Sequence, residues 1–282
     1  MRGRLSTGIV GVEVGPLAQR VDARWLMAYA AGLGERDPRY FETRTAGGPM
    51  AHPMFPVCYE WPAALAIRAK TIPDDLAPLS VHATHHLTIA RPPCAGDTLL
   101  TSARVIAVRR RRAGTLVTTR LTTVDEHGGP VTLTDYGSVY RGEEADGDLE
   151  TEAPRAPRLD DGGEIAWTDR VDVDAGAAHV YTECARIWNP IHTDIAVAHA
   201  AGLPGLILHG TATLALAVSR LLARDLGGDA TRVTEVAARF TGMVPLPSRF
   251  TVRRRANAGR SIAFDAVDDE DRSVLARGVL RV

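Results

Sequence analysis

The segment from Tyr181 to Thr213, YTECARIWNPIHTDIAVAHAAGLPGLILHGTAT, holds the residues best suited to chemistry. His192 can accept and donate a proton near neutral pH, and the amide of Asn189 can hold a water molecule or orient the imidazole. Gly210 falls where an apolar helix should begin, and the free N–H groups of a helix start can stabilise a developing negative charge. A residue without a Cβ also lets a substrate atom approach closely. The pattern indicates acid/base chemistry beside an oxyanion site.

Three segments have the apolar pattern of helices. Residues 20–35 and residues 211–226 each run into closely spaced glycines, which are typical of helix C-termini. Within residues 57–70 we expect the helix to start near Pro62, because proline is accepted in the first turn of a helix but not further inside. Long apolar helices must bury their faces against other elements, so these segments predict a sheet around them.

Strand patterns occur in both halves of the chain. Val and Thr dominate them and short turns separate them, which is typical of an antiparallel meander. The predicted strands are 82–89, 97–108, 114–124 and 130–140 in the first half, and 167–173, 233–240, 248–255, 261–267 and 273–280 in the second. The order of helix and meander therefore occurs twice. We predict two antiparallel sheets, each wrapped around one helix and joined edge to edge.

A segment rich in Asp, Glu, Pro and Gly separates the two halves. Residues 143–163 contain few long apolar side chains, which predicts a solvated linker. A length of 282 residues also favours two domains. We therefore predict an α+β protein with an N-terminal domain over 1–142, a linker over 143–163 and a C-terminal domain over 164–282.

The run Asn189-Pro190-Ile191-His192, followed by His209-Gly210 at a helix start, resembles the signature of the MaoC-like dehydratases and (R)-specific (type 2) enoyl-CoA hydratases. The element order is similar along the whole chain, but the specific motifs lie in the second half. The resemblance implies a double-hotdog fold, in which an antiparallel sheet wraps a central helix twice. It also implies a hydro-lyase of fatty acid or polyketide metabolism that needs no cofactor. The substrate would be an enoyl or 3-hydroxyacyl thioester of CoA or of an acyl carrier protein.

The resemblance further implies roles for individual residues. His192 would be the acid/base, Asn189 would hold the water or orient His192, and the Gly210 backbone N–H would donate to the thioester oxygen. The residues expected to contact substrate are Ile187, His209 and Thr211.

One position departs from the family pattern. The family has an Asp two residues before the Asn, where it shares the water with the His, whereas this chain has Ile187, preceded by Arg186 instead of Gly. Isoleucine cannot accept a proton, and loss of an acid/base partner costs about a hundredfold to ten-thousandfold in rate. Either His192 works alone, or the chemistry has changed, or another carboxylate substitutes. The candidate carboxylates are Glu183, Asp194, Glu35 and Asp37, of which Asp194 is better placed to cap the following helix.

The first half contains two segments that correspond in position to this site. Residues 34–40 (GERDPRY) fall where the second half has its Asn-Pro-Ile-His segment, and residues 51–56 (AHPMFP) fall where it has LHGTAT. Neither the Asn nor the active-site His is reproduced. The resemblance implies that the N-terminal domain is non-catalytic and accommodates the acyl chain.

Composition argues against several other classes. The formal net charge is −1, so no overall field draws the protein to nucleic acid or to a membrane surface. Three scattered cysteines favour neither a disulfide framework nor a zinc site, and no apolar run reaches the length of a membrane span. The histidines at 82, 85 and 86 lack the i, i+4 spacing of a helical metal pair, so we expect no metal. We predict a cytoplasmic protein that can form a homodimer.

Three alternative functions stay open. The chain can be a non-catalytic subunit that binds acyl thioesters, or a specialised lyase or isomerase of secondary metabolism. It can also be a hotdog thioesterase, which would keep a carboxylate or another polar catalytic group on its central helix. The helix over 211–226 has no carboxylate before Asp225, which argues against hydrolysis.

Overall fold

A computed structural model describes residues 4–155, 163–256 and 261–282. The helices are α1 (Ala23–Gly32), α2 (Pro56–Thr71), α3 (Ala177–Ala185), α4 (Ile195–Ala200) and α5 (Gly210–Asp225). The strands are β1 (Glu13–Arg20), β2 (Ser80–Ile89), β3 (Thr98–Arg111), β4 (Gly114–Asp125), β5 (Pro130–Arg141), β6 (Leu149–Glu150), β7 (Ile165–Val173), β8 (Glu235–Phe240), β9 (Ser248–Arg255), β10 (Ser261–Asp268) and β11 (Ser273–Arg281).

The strands form one antiparallel sheet that runs through both halves. Its order is β1-β3-β4-β5-β2-β8-β11-β10-β9-β7, with β6 paired to the side of β3. The halves meet where β2 pairs with β8, for example at His86 opposite Ala237. The prediction of an α+β double hotdog, with two sheets joined edge to edge, is confirmed.

The two long helices, α2 and α5, occupy equivalent places in the two halves. Helix α5 buries its aliphatic face deeply, with Leu214, Val218 and Leu221 fully shielded from solvent. Helix α2 divides its contacts, because Val57 and Tyr59 join the large core that contains α5 while Ala63 and Ile67 pack in a smaller core of the first half. The first turns of α2 therefore lie closest to the second half.

The predicted start of α2 near Pro62 is wrong. The helix begins at Pro56, in the first position where a missing N–H costs nothing, and Pro62 lies inside it. Proline inside a helix removes one hydrogen bond and costs about 3 kcal/mol. Burial of Val57, Cys58 and Tyr59 in the preceding turns keeps the chain helical despite that cost.

Strand β1 and helices α3 and α4 are elements that the sequence patterns did not delimit. Strand β1 contains Gly15 and Pro16, and its register against β3 shifts between Val14 and Leu17. Such a strand is tolerated at the edge of a sheet, where an N–H missing from the ladder leaves no neighbour unpaired. Helices α3 and α4 are short, so their apolar pattern has few repeats.

Part of the predicted linker is packed against the first half. The carboxylate of Asp146 accepts hydrogen bonds from the Ser6 hydroxyl and the Thr7 N–H, and Asp148 accepts one from the Arg110 N–H. Residues 143–155 are thus mostly exposed but tied to the first half by hydrogen bonds, whereas residues 156–162 lie outside the described residues. No helix in the described part of the chain is long and apolar enough to cross a membrane.

Candidate active site

A cavity of about 1090 Å³, including the space at its mouth, lies between the two halves. From the second half it is lined by Asn189, His192 and the start of α5 at Gly210. From the first half it is lined by one face of α2, which includes Trp61, and by the inner surface of the sheet. The cavity therefore brings together the three residues to which the sequence assigned chemistry.

His192 ends a short 3₁₀ helix over Pro190–His192 and is almost fully buried. Its Nδ1 lies 2.9 Å from the carbonyl oxygen of Ile207. A carbonyl oxygen can only accept, so Nδ1 carries the proton and donates it to this bond, which leaves Nε2 with a free lone pair. Burial lowers the pKa of His192 to about 4. The imidazole is therefore neutral at pH 7, with one nitrogen ready to accept a proton.

The carbonyl that orients His192 is itself held by backbone pairing. The Leu208 N–H donates to the Val244 carbonyl, and the Leu246 N–H donates to the Leu206 carbonyl. Ile207 forms an isolated β-bridge with Pro245 between these two bonds. This short ladder fixes the segment just before α5, so the Ile207 carbonyl is a rigid acceptor for the imidazole.

Helix α5 begins at Gly210, with His209 as its N-cap. The N–H of Gly210 has no acceptor within the helix, as in the first turn of any helix. A Cβ placed on Gly210 would lie 3.3 Å from the ring of Phe240 and would crowd the cavity wall. The glycine therefore leaves its N–H accessible at the positive end of the helix dipole.

His209 packs between the base and the preceding helix. Its ring stacks on His192 with centroids 3.7 Å apart, and its Nε2 lies 3.2 Å from the Thr182 hydroxyl. Burial, followed by the charge on His192, lowers the pKa of His209 well below its usual value. Burial thus favours the neutral form of both stacked imidazoles.

A chain of hydroxyl groups joins the start of α5 to the first half. Tyr181 donates to the Thr211 hydroxyl at 3.1 Å and lies 3.4 Å from the Tyr29 hydroxyl, which donates to the carbonyl of Met54. Thr211 therefore lies at the cavity, as the sequence predicted, and its hydroxyl is tied to a buried tyrosine pair.

Asn189, expected to be catalytic, and Ile187, expected to contact substrate, lie at the same cavity. Both residues line the cavity. The Asn189 carbonyl accepts from the His192 N–H at 3.2 Å, and the Asn189 side chain caps no helix. Ile187 is buried in the large apolar core and follows Arg186, which closes α3 in the left-handed conformation. The isoleucine thus adds an apolar surface at the base of the site.

Two family descriptions match the chain, one in each half. Residues 168–273 match the MaoC-like domain, and residues 8–134 match the FAS1-like dehydratase domain region. The second half of the chain is therefore similar to the MaoC-like domain family over residues 168–273. The predicted resemblance is therefore confirmed, and the MaoC-like domain is the part that contains His192 and Gly210.

Curated relatives are similar to part of the chain. The chain is 34% identical to 3-hydroxyacyl-thioester dehydratase Y of Mycobacterium tuberculosis over 148 residues, which are 52% of this chain and 50% of that protein. It spans half or less of the length of the curated relatives it matches.

Two solved structures cover nearly the whole chain. The crystal structure of a MaoC-like dehydratase from Phytophthora capsici superposes with a TM-score of 0.81 at 22% identity, over 97% of this chain and 95% of that one. A Mycobacterium tuberculosis protein described as a double hotdog superposes with a TM-score of 0.59 at 17% identity, over 96% and 95%. These likenesses support the fold of the entire chain.

The four carboxylates that the sequence offered in place of the missing Asp lie outside the cavity lining. Asp194 caps α4 by accepting from the Ala196 and Val197 N–H groups, as the alternative reading of this residue predicted. Asp37 pairs with Arg39, and Glu183 is exposed on α3. Glu35 lies beside His52 of the first half, with 3.9 Å between Glu35 Oε1 and His52 Nε2.

Glu60 is the carboxylate that sequence reasoning missed. It lies on α2 and is the sole Asp or Glu among the described residues that line the cavity. Its Oε1 accepts from the hydroxyls of Thr132 and Thr134 at 3.1 and 2.8 Å. Burial raises its pKa to about 8, so the side chain is largely protonated at pH 7. An acidic residue within an otherwise apolar helix, VCYEWPAALAI, was the available signal.

The described residues contain no cluster of three or more His, Cys, Asp or Glu side chains with the geometry to hold a metal ion. The arrangement that they do contain is a neutral imidazole and a helix start at a cavity of about 1090 Å³. It can transfer protons and stabilise an oxyanion, and the cavity can hold an apolar group beside them.

Proposed function

We propose that the chain is a hydro-lyase that interconverts an enoyl thioester and water with a 3-hydroxyacyl thioester. The observation that supports this most directly is the His192–Ile207 hydrogen bond, because it leaves Nε2 of a neutral imidazole free in the cavity where α5 begins. The substrate carrier is CoA or an acyl carrier protein. The three unpaired cysteines are compatible with the proposed cytoplasmic location.

In the dehydration direction, His192 acts as the single acid/base. Nε2 takes a proton from C2 of the 3-hydroxyacyl thioester, and negative charge moves onto the thioester oxygen. The Gly210 N–H and the positive end of α5 stabilise that oxygen. The C3–O bond then breaks, and His192 returns the proton to the departing hydroxide to give water. Hydration reverses each step, so both proton transfers lie on one face of the substrate.

This mechanism accounts for Ile187. A single imidazole can move the proton from C2 to the leaving oxygen if both groups face it, so the Asp of the family is dispensable. The cost is lower activity, because burial makes His192 a weak base with a pKa of about 4. We therefore expect slower turnover than in enzymes that have both groups.

Hydrolysis of the thioester is the second candidate, because Glu60 places a carboxyl group on a central helix. A hotdog thioesterase is expected to keep a carboxylate or another polar catalytic group on its central helix, and α2 has such a group whereas α5 has no carboxylate before Asp225. The raised pKa of Glu60 argues against it, since a protonated carboxyl group can act neither as a nucleophile nor as a base for water. We therefore place hydrolysis behind hydration.

The experiment compares wild type, His192→Ala and the control His199→Ala on trans-2-enoyl thioesters of several chain lengths. Loss of the conjugated enoyl absorbance reports hydration, and release of free thiol reports hydrolysis. His192→Ala should lower the hydration rate by at least about a hundredfold with the fold intact. His199 is exposed on α4, so its replacement should leave the rate unchanged.

Wild-type kcat/KM should stay level from about pH 7 to about pH 5, because the neutral form of His192 persists there.

The other outcomes point to the alternatives. Thiol release by wild type without loss of the enoyl group would establish a thioesterase. Thioester binding, seen as a rise in melting temperature, without any turnover would establish a binding subunit. Equal activity in wild type and His192→Ala would refute the role proposed for His192.

A further inference from the structure

The part of the cavity formed by the first half is not purely apolar. The sequence led us to expect apolar residues there, and Val57, Trp61 and Leu121 meet that expectation. Glu60 and His85 line the same cavity and are both buried. Polar side chains in an acyl-chain cavity are costly unless something bonds to them.

His85 lies on the inner face of β2, directly opposite Tyr136 of β5. Its side chain is 2% exposed, and neither ring nitrogen has a hydrogen-bond partner among the described residues. Leaving a buried donor or acceptor unpaired costs about 1–3 kcal/mol per group. A neutral imidazole offers one donor and one acceptor, so both are available to a molecule in the cavity.

Glu60 reaches the sheet at Thr134, which pairs with Leu87, two residues along β2 from His85. The hydroxyls of Thr132 and Thr134 both donate to its Oε1, and Thr134 is a near neighbour of Tyr136 on the same face of β5. The two threonines occupy Oε1, so Oε2 carries the proton of the neutral acid and can donate it. The two side chains therefore offer complementary hydrogen bonds without a net charge.

We propose that Glu60 and His85 form a polar subsite that binds an uncharged oxygen group, a hydroxyl or a ketone, on the acyl chain away from the thioester. The preferred substrate is accordingly an oxygenated acyl thioester instead of a plain alkyl one. This inference rests on the proposed function, because the reacting end of the thioester is assigned to His192 and Gly210. It adds the substrate class, which that function leaves open.

The subsite itself supplies no charge to pair with an ionised group. A buried anion without a paired cation is strongly disfavoured, whereas neutral Glu60 and neutral His85 offer only hydrogen bonds. Arg68 is the sole Lys or Arg among the described residues that line the cavity, and its guanidinium carbon lies 5.8 Å from the centre of the Trp61 ring. A hydroxyl or ketone meets no such penalty and satisfies Glu60 and His85 together.

The test uses two enoyl thioesters of equal length, one with a plain chain and one with a hydroxyl or keto group, and the two corresponding 3-hydroxyacyl thioesters for binding. Wild type should prefer the oxygenated member roughly tenfold to a hundredfold in kcat/KM. Glu60→Leu and His85→Leu should each remove most of that preference, because they should lower kcat/KM for the oxygenated chain more than for the plain chain. Glu60→Gln stays neutral and polar, so it should keep part of the preference. The control Val57→Ala widens the cavity and should affect both chains alike.

Binding measurements keep the test independent of catalysis. If wild type turns over neither chain, the hydratase proposal fails, and the preference in Kd still decides the subsite. A wild type that treats the two chains equally in both kcat/KM and Kd would overturn the subsite. So would an equal loss on both chains in folded Glu60→Leu, which would instead assign Glu60 to the chemistry.

Discussion

The two halves share the same local backbone structure after their first helices but have different side chains at the corresponding positions. Helices α1 and α3 each end in a left-handed residue, Gly34 and Arg186, and each is followed by a 3₁₀ helix that begins at proline. Asp37 and Asn189 are the N-caps of these two short helices. Position by position, Glu35 therefore corresponds to Ile187, and Tyr40 corresponds to His192. The first half keeps a carboxylate without the histidine, and the second keeps the histidine without the carboxylate.

The helix starts differ as much as the side chains. Helix α2 begins at Pro56, which has no N–H, and the preceding Phe55 is fully buried. Helix α5 begins at Gly210, which has a free N–H at the cavity. His52, three residues before Phe55, accepts at Nδ1 from the Met54 N–H, and its Nε2 lies 3.2 Å from the Ser219 hydroxyl of α5. The comparison teaches that the first half lost the oxyanion position as well as the base, so Glu35 alone cannot restore a site there.

Ile187→Asp gives the strongest test of this comparison, because it moves the carboxylate of the first half to its equivalent position in the second. Ile187 is 4% exposed and belongs to the large apolar core. An aspartate there would be buried without a paired cation, so we expect a loss of about 2–4 kcal/mol in the free energy of unfolding. We expect no gain in hydration rate. Urea unfolding and the enoyl absorbance assay measure the two effects.

Ile187→Asn is the matched control, since it is similar in size and polar but cannot ionise. It should be less destabilising than Ile187→Asp at pH 7, and the two should converge at low pH, where the aspartate is protonated. A tenfold rise in turnover by Ile187→Asp alone would contradict our proposal that this site works without the family's Asp. The second half would then differ from an ordinary MaoC-like site by one missing group.

The sequence predicted the fold more completely than it predicted the site. Segments rich in Val and Thr and a repeated element order predict the double sheet, because both can be read along the chain. The NPIH and HG motifs predict a shared site for His192, Asn189 and Gly210 only through the family resemblance, since the segment before α5 is held by distant residues such as Pro245. Glu60 could not be predicted, because its position in the cavity depends on how α2 packs against β5 and the second half. The same holds for Pro62, whose helix persists only because the surrounding core fixes it.

Buried histidines give a second test, through pH. Burial lowers the pKa of His85 in the first half to about 3 and that of His192 in the second to about 4. The unfolded chain binds these protons below about pH 6.5 and the folded chain does not, so stability falls as pH falls from about 6.5 towards these values. Above that window both states are neutral and the contribution vanishes.

His85→Leu removes one of these terms. When the pH falls from about 7.5 to about 5, wild type should lose about 2 kcal/mol of free energy of unfolding that the variant keeps. His199→Leu, at an exposed site, should show no such shift. Chemical denaturation at both pH values measures the difference. An equal shift in the two variants would mean that His85 titrates as a solvated residue and would weaken its place in the subsite.

The smallest expected effect lies at the paired left-handed positions, Gly34 with φ of 75° and Arg186 with φ of 58°. A side chain in this conformation costs about 1–2 kcal/mol, and the Arg186 guanidinium offsets part of the cost by lying 4.2 Å from the centre of the Trp25 ring. Arg186→Ala keeps the strain and loses the ring contact, so it should lower the free energy of unfolding by about 0.5–1 kcal/mol. Arg186→Gly loses the same contact but relieves the strain, so it should stay within about 0.5 kcal/mol of wild type.

Gly34→Ala introduces the strain in the first half, where a Cβ would meet open space, and should cost about 1 kcal/mol. Thermal unfolding of the three variants measures these differences. If Arg186→Ala matches Arg186→Gly, backbone strain does not distinguish the two halves, and the ring contact alone explains the arginine.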